Sequence, residues 1–269
     1  MPSSAIDLAA YTARIGYAGP LTNSVETLVG LHRAQAFSIP FENLDIHLNR
    51  SIGLDAAAFE RKLIAERRGG YCYELNGLFR LVLLELGFSV TCLVGRNLLS
   101  GPPLRPRAHQ VLQVEAGGQP WLVDLGFGTN GLVEPIPLMV GPEHQQFFDR
   151  YRLHAAPQHN LQLQLHMQGA WQSLYTFTLD EAQPSDYQMM NFYYSKSPDS
   201  PFRQQRICTR SAPEYRASLL DRELKIRRPD GQITATALAD DADYEEALDT
   251  YFGIRLSASE LAQLGKGQR

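Results

Sequence analysis

The sequence predicts an α+β fold in which a helical first third precedes a run of short antiparallel strands. Three observations carry this. Apolar residues recur at helical spacing up to about residue 88, the period then changes to two, and Gly, Pro and Asn clusters separate six short alternating segments. At 269 residues and 44% hydrophobic, the chain can bury a large core divided among two or three packed units.

The elements follow in order. Ser24 is placed to cap a first helix, in which Val25, Leu28, Val29 and His32 keep helical spacing. Pro40 breaks that pattern, so Ser38 to Asp45 reads as a loop. A second helix runs from about Asp55, its cap, to Arg67. Arg68-Gly69-Gly70-Tyr71 is a glycine turn, and a third helix spans about Cys72 to Leu86. Its residues Leu75, Leu78, Phe79, Val82, Leu83 and Leu86 form one apolar stripe, and Gly87 is the stop. Segments 88–94, 109–115, 120–125, 150–154, 161–167 and 171–177 read as strands of an antiparallel sheet or small barrel. The remainder is mixed, with a Pro/Ser loop at 195–201, a hairpin around Arg228-Pro229-Asp230-Gly231 and a closing helix from about Asp243 to Tyr251.

Charge and composition narrow the function classes. A net charge of −4 and scattered Lys and Arg offer nothing to nucleic acid or an anionic membrane. The acidic run at Asp240, Asp241, Asp243, Glu245 and Glu246 reads as a solvated helix start. No apolar stretch approaches the ~20 residues of a membrane span, and the N-terminus lacks the basic and apolar blocks of a secretory signal. Cys72, Cys92 and Cys208 form no CxxC pair, and an odd count suits no disulfide framework, so a reducing cytoplasm is expected. No HxH, HExxH or close Cys/His pair suggests a metal, and the composition specifies no oligomeric state.

The chemistry concentrates on three residues. Most cysteines are inert small hydrophobes, which suffices for Cys92 and Cys208. Cys72 differs because a glycine turn delivers it to the first turn of a helix, where unpaired N–H groups and the helix dipole stabilise a thiolate. His109 and Asp124 flank Ala116-Gly117-Gly118-Gln119. A turn at Ala116-Gly117 sets them directly opposite on one face of a hairpin; a turn at Gly117-Gly118 makes them diagonal neighbours. Either places a base beside an orienting carboxylate. The other histidines, His32, His47, His144, His154, His159 and His166, have no carboxylate across an obvious hairpin. A Cys…His…Asp order suits papain-like hydrolases, transglutaminases and thiol acyltransferases alike.

Longer strings separate these. Arg68-Gly-Gly-Tyr-Cys72-Tyr-Glu-Leu-Asn76 resembles the nucleophile motif of the arylamine N-acetyltransferases, and Ile39-Pro-Phe-Glu-Asn-Leu44 resembles their upstream motif. Val123-Asp-Leu-Gly-Phe-Gly128 resembles the segment carrying the family's acid. Asn191-Phe-Tyr-Tyr-Ser-Lys-Ser-Pro-Asp-Ser-Pro-Phe202 is similar to its inter-domain tract. The chain departs from the family at Phe192 and Lys196, where Trp or Thr is frequent, and in the 101–107 loop. Both departures bear on substrate choice.

The resemblance implies a helical N-terminal domain (1–88) carrying the nucleophile, an antiparallel β-barrel (89–190) carrying His and Asp, and an inter-domain segment with an α/β lid (191–269). The catalytic core would be of the cysteine-protease/transglutaminase kind. By position, Cys72 corresponds to the nucleophile, His109 to the base and Asp124 to the orienting acid. Acetyl-CoA would be the acetyl donor, with no permanently bound cofactor, and arylamines or hydrazines the acceptors in a ping-pong reaction. Phe41, Phe127 and Phe202 resemble positions lining the acceptor pocket, with core packing as their ordinary alternative. Gly126, Gly128 and Thr129 are candidates for close approach to the CoA pyrophosphate. Arg105 and Arg107 either add charge there or face solvent. Glu42 and Arg68 are expected to pair and anchor the turn before Cys72. An amide synthase of the same family would use the same three residues.

Overall fold

The computed structural model describes residues 6–101, 104–157 and 160–266. The first residues of the N-terminal reading, Pro102 and Pro103 of the variant loop, and His159 lie outside the described residues.

Helices α1 (Leu8–Ile15) and α2 (Val25–Ser38) open the chain, and the Ser24 hydroxyl accepts from the Thr27 N–H at 3.2 Å, as its cap position requires. Beyond Pro40, the stretch expected as a loop contains a two-residue strand β1 (Phe41–Glu42) and a helical turn α3 (Leu44–His47). The strand forms because Phe41 and Glu42 pair with Thr209 and Cys208, partners far along the chain that no local pattern announces. Helix α4 (Ala56–Phe59), capped by Asp55, continues into a π-helical turn at Glu60–Ala65. Helix α5 (Cys72–Glu85) begins at Cys72, and Gly87 closes it with φ +81° and an N–H donated to Leu84.

The middle of the chain forms an eight-stranded antiparallel sheet of β2 (Ser89–Asn97), β3 (His109–Ala116), β4 (Gln119–Val123), β5 (Ile136–Pro137), β6 (Glu143–Gln146), β7 (Asp149–Ala156), β8 (Asn160–Met167) and β9 (Ala170–Phe177). Their order is β5-β4-β3-β2-β9-β8-β7-β6, and Val140, just past β5, bridges Leu153 of β7, so the sheet nearly closes into a barrel. The six alternating segments supply six of these strands. The other two escape the pattern, β5 because it is two residues long and β6 because it is wholly polar. Alternation sends Leu93, Val111 and Leu122 to the barrel interior, while Cys92, Val94, Leu112, Val114 and Val123 pack against the helices.

Register decides between the two turn placements. The β3–β4 ladder pairs Leu112 with Val123 and Ala116 with Gln119, so the turn is Gly117-Gly118 and His109 and Asp124 are diagonal. Both glycines take positive φ, 60° and 78°, as a two-residue hairpin turn of this hand demands. Ala116 in the first central position would be strained.

Helices α6 (Pro184–Lys196) and α7 (Pro201–Gln204) lead into strands β10 (Ile207–Ala212), β11 (Tyr215–Leu220), β12 (Glu223–Arg227) and β13 (Ile233–Ala237). With β1 at one edge they form a second sheet, β1-β10-β11-β12-β13. Helix α6 ends at Lys196 and shortens the Pro/Ser loop; only Tyr187, Tyr194 and Ser195 of it are buried, too few to write a stripe. The expected hairpin stands between β12 and β13, with Gly231 at φ +83°. Helix α8 (Asp241–Ala247), its π-helical continuation Leu248–Phe252, and α9 (Ala258–Lys266) cover this sheet through Tyr244, Leu248, Phe252 and Leu264. No helix among the described residues is long and apolar enough to cross a membrane.

Candidate active site

Cys72 is the first residue of α5, so its N–H has no intrahelical acceptor. The preceding Gly69 and Gly70 do not take positive φ; what they supply is room. A Cβ on Gly69 would stand 2.2 Å from the Pro40 carbonyl oxygen, and one on Gly70 would stand 2.7 Å from the Glu74 Cβ. The segment therefore lies flat against β1, with the Gly70 N–H donated to Pro40 at 3.2 Å and the Glu42 N–H to Gly70 at 2.9 Å. The Glu74 carboxylate accepts the Tyr71 N–H at 3.1 Å and fixes the helix start.

His109, at the start of β3, directs Nε2 to Asp124 Oδ2 at 2.7 Å, which leaves Nδ1 available to the Cys72 thiol on the same cavity wall. Asp124 is fully buried just beyond β4. It also accepts the Gly126 N–H at 2.9 Å and the Asn76 amide at 3.1 Å. Burial works against charge on His109, but the Asp124 carboxylate and a Cys72 thiolate outweigh it and push the imidazolium up to about 10. Burial likewise disfavours charge on Asp124, and His109, the Gly126 N–H and Asn76 together hold it below its ordinary value. Burial pushes the Cys92 and Cys208 thiols up, and neither has a facing imidazole. His32 is buried with both nitrogens unpartnered and desolvation holds it down at about 4, so it stands neutral.

Asn76, the last residue of the nucleophile motif, is a further site residue whose role its polar identity alone does not announce. One turn after Cys72, it donates to Asp124 and to the Gln110 carbonyl at 2.7 Å, and accepts the Leu125 N–H at 2.8 Å. The i, i+4 spacing from Cys72 was the available signal. Gly126 is pressed on the nucleophile itself: a Cβ there would lie 2.5 Å from the Cys72 Cα and 2.7 Å from its Cβ. Its glycine identity is thus accounted for by the nucleophile, before any CoA contact.

The thiol opens into a cavity of about 320 Å³. Phe41, Phe127 and Phe202 all line it, as do Gly126, Gly128 and Thr129. The Phe127 ring stands 5.3 Å from His109 and 5.1 Å from Tyr175, while Phe202 stands 5.9 Å from Phe41 and 5.5 Å from Tyr194. Of the two arginines, Arg105 reaches the lining, together with Ser100 and Pro106, so this part of the variant loop faces the cavity. Arg107 turns away, donating to the Val94 carbonyl at 3.1 Å and Thr178 Oγ1 at 2.9 Å. Phe192 and Lys196 are exposed and outside the lining; Tyr194, Pro201 and Phe202 are the residues of that tract that reach it.

Behind the turn, Arg68 Nη2 meets Glu42 Oε1 at 2.8 Å with both side chains buried. The pair belongs to a larger cluster. Lys62 Nζ lies 2.7 Å from Glu74 and 3.2 Å from Asp45, and Arg68 lies 3.3 Å from Asp45. Burial opposes charge on Lys62 and Arg68, and the surrounding carboxylates overcome it, holding both above their ordinary values. Lys62 carries no sequence signal, since a lysine in a helical segment ordinarily faces water. Among the described residues, no three His, Cys, Asp or Glu side chains converge as a metal site requires.

A thiol, an imidazole and a buried carboxylate in series beneath an aromatic cavity can take up and pass on an acyl group. The comparisons agree in class: residues 24–261 match a family profile described as N-acetyltransferase. The arylamine N-acetyltransferase of Escherichia coli (strain K12) is 43% identical over 205 residues, covering 76% of this chain and 73% of that protein. That of Mycolicibacterium smegmatis is 38% identical over 259 residues, covering 94% and 93%. The solved structure of Mycobacterium marinum arylamine N-acetyltransferase in complex with CoA superposes with a TM-score of 0.91 at 35% identity, covering 97% of this chain and 99% of that one. The chain belongs to the arylamine N-acetyltransferase family.

Proposed function

We propose that the chain transfers the acetyl group of acetyl-CoA to the nitrogen of arylamines or arylhydrazines through an acetyl-Cys72 intermediate. The observation that carries this is the buried series Cys72, His109, Asp124, opening into a cavity walled by Phe41, Phe127 and Phe202. The Cys72 thiolate attacks the thioester carbonyl, CoA leaves as a thiol with the proton held on His109, and an acetyl-cysteine remains. The amine then attacks that carbonyl, His109 takes the nitrogen's proton, and the Cys72–His109 pair is restored. Asp124 orients the imidazole and stabilises its protonated form. The unpaired Cys72 N–H is placed to stabilise the oxyanion. A weakly basic arylamine keeps its lone pair free at neutral pH, and its ring matches the aromatic walls.

In this reading Gly126, Gly128 and Thr129 offer backbone close to the entering CoA, and Arg105 adds charge at the mouth. Glu42 and Arg68 brace the turn. Segments 1–88, 89–190 and 191–269 act as nucleophile-bearing, base-bearing and lid units, in a cytoplasm that keeps all three free thiols reduced. The test is intact-protein mass spectrometry after brief incubation with acetyl-CoA alone, beside Cys72→Ser. One acetyl group mapped to Cys72 and discharged by an added arylamine is the expected result. No adduct at short times, with no acetylated amine, would count against acetyl-CoA as donor and point to an amide synthase.

A further inference from the structure

The cavity wall that carries Phe127 belongs to no strand or helix, yet its carbonyls are not left to solvent. Arg216 of β11, 2% exposed, donates Nη1 to the Thr129 carbonyl at 3.1 Å and the Gly131 carbonyl at 3.0 Å. Its Nη2 donates to the Tyr151 hydroxyl at 3.0 Å, and that hydroxyl faces the Asn130 and Gly131 carbonyls at 3.1 and 2.9 Å. Three successive carbonyls of the wall are therefore gathered by one guanidinium and one phenol. The guanidinium is itself fixed, with Nε on Asp149 Oδ2 at 2.7 Å and Nη1 on Ser211 Oγ at 2.6 Å. Arg227 supplies a second cation to Asp149, at 2.8 and 3.1 Å. No side-chain hydrogen bond among the described residues joins this group to Cys72, His109 or Asp124, although the Asp124 charge is felt at Tyr151. Those three are held by Asn76 and the Gly126 N–H.

We propose that Arg216 is a positioning residue for the acceptor: through the Thr129 and Gly131 carbonyls it sets where the Phe127 ring stands beside His109, and so how tightly an aromatic amine is held. A planar fork reaches several acceptors at fixed angles, whereas a lysine ammonium is a point charge that keeps Asp149 neutralised but cannot span them. Losing the fork frees the wall while leaving the nucleophile in place. The assignment rests on the arylamine reading given above.

The test compares Arg216→Lys and Tyr151→Phe with the wild type in two assays. In the first, Cys72 is alkylated with iodoacetamide, with and without 4-chloroaniline. Arg216→Lys should keep the unprotected alkylation rate and its pH profile, while the aniline concentration giving half protection rises about tenfold. In the second, steady-state acetylation of 4-chloroaniline should show KM raised by a similar factor with kcat little changed; Tyr151→Phe, which removes one hydroxyl from the same wall, should move both readouts less and in the same direction. Unchanged half-protection in both variants, with only a lower melting temperature, would overturn the assignment and leave Arg216 a structural residue. Protection of wild-type Cys72 without any acetylated aniline would sink the proposed reaction instead, and the role of Arg216 in binding would still be read from the first assay.

Discussion

Replacing Gly126 by alanine tests the site where its tolerance is smallest. The new Cβ would lie 2.5 Å from the Cys72 Cα, 2.7 Å from the Cys72 Cβ and 3.0 Å from the Asn76 amide nitrogen. Non-bonded carbons rest about 3.5–4.0 Å apart, so the 124–127 segment must retreat by about 1 Å. No flexible side-chain end can absorb this, because the nearest atom is helix backbone. The retreat draws Asp124 away from the Asn76 amide, and with it the His109 ring from the thiol. Overpacking of this kind costs about 1–3 kcal/mol of stability, a modest loss for a domain of this size. A misplacement of about 1 Å in the reacting groups costs on the order of a hundredfold in rate. Activity should therefore collapse while the fold survives. The assay pairs thermal unfolding with the single-turnover rate of Cys72 acetylation. A folded Gly126→Ala enzyme acetylated within about twofold of the wild-type rate would refute the reasoning.

Asn76→Ala removes two donated and one accepted hydrogen bond around Asp124. The acetylation rate should fall by about ten- to a hundredfold, and stopped-flow rates equal to wild type would remove Asn76 from the site. Glu42→Gln leaves Arg68 buried with Asp45 at 3.3 Å and Glu260 at 4.0 Å as its remaining carboxylates, so unfolding in urea should show a loss approaching about 3 kcal/mol. Unchanged stability and activity would sink the bracing role. For His109, the folded pKa of about 10 lies above the ordinary histidine value, so its stabilising contribution is complete below about 6.5 and is lost as pH rises through 10. Wild-type stability should decline across that interval by at most about 1.4 kcal/mol per pH unit from this group, and the decline should flatten in His109→Gln. Parallel curves for the two proteins would contradict the pairing with Asp124.

What the sequence made legible was whatever is encoded locally. The α5 stripe, the caps at Ser24 and Asp55, the glycine stop at Gly87 and the six alternating strands each sit in a short window of residues. His109 and Asp124 could be brought together because one hairpin connects them, although the register was decided by the positive φ of Gly117 and Gly118. Illegible features depend on distant partners. Strand β1 exists only because β10 lies beside it, and Lys62 is buried only because Glu42, Asp45 and Glu74 converge on it from three elements. Helix α6 was hidden for a different reason: most of it faces water, so its composition writes no stripe.

The buried charges explain why so polar a cluster stands directly behind a nucleophile. Cys72 is positioned from two sides, and the two supports are independent. On the barrel side, Asn76 and Gly126 fix the distance between helix α5 and the Asp124 segment with no room to spare. On the other side, the Gly69-Gly70 segment must lie against β1 at separations that admit no side chain, leaving apolar packing little purchase. Arg68 and Lys62 tie that segment to Glu42, Asp45 and Glu74 instead. A hydrophobic replacement of similar volume could match the stability of such a cluster. It could not reproduce the directional bonds by which Glu42 holds Arg68 and the Leu44 N–H, or those by which Glu74 holds Lys62 and the Tyr71 N–H. Glu74 links the two roles, since one oxygen accepts from the cluster's lysine and the other starts the helix that presents the thiol. A charge-neutralising change at Glu74 should therefore shift the geometry of Cys72 as well as the stability of the fold, whereas Glu42 acts on the helix start indirectly, through Arg68, Lys62 and the turn.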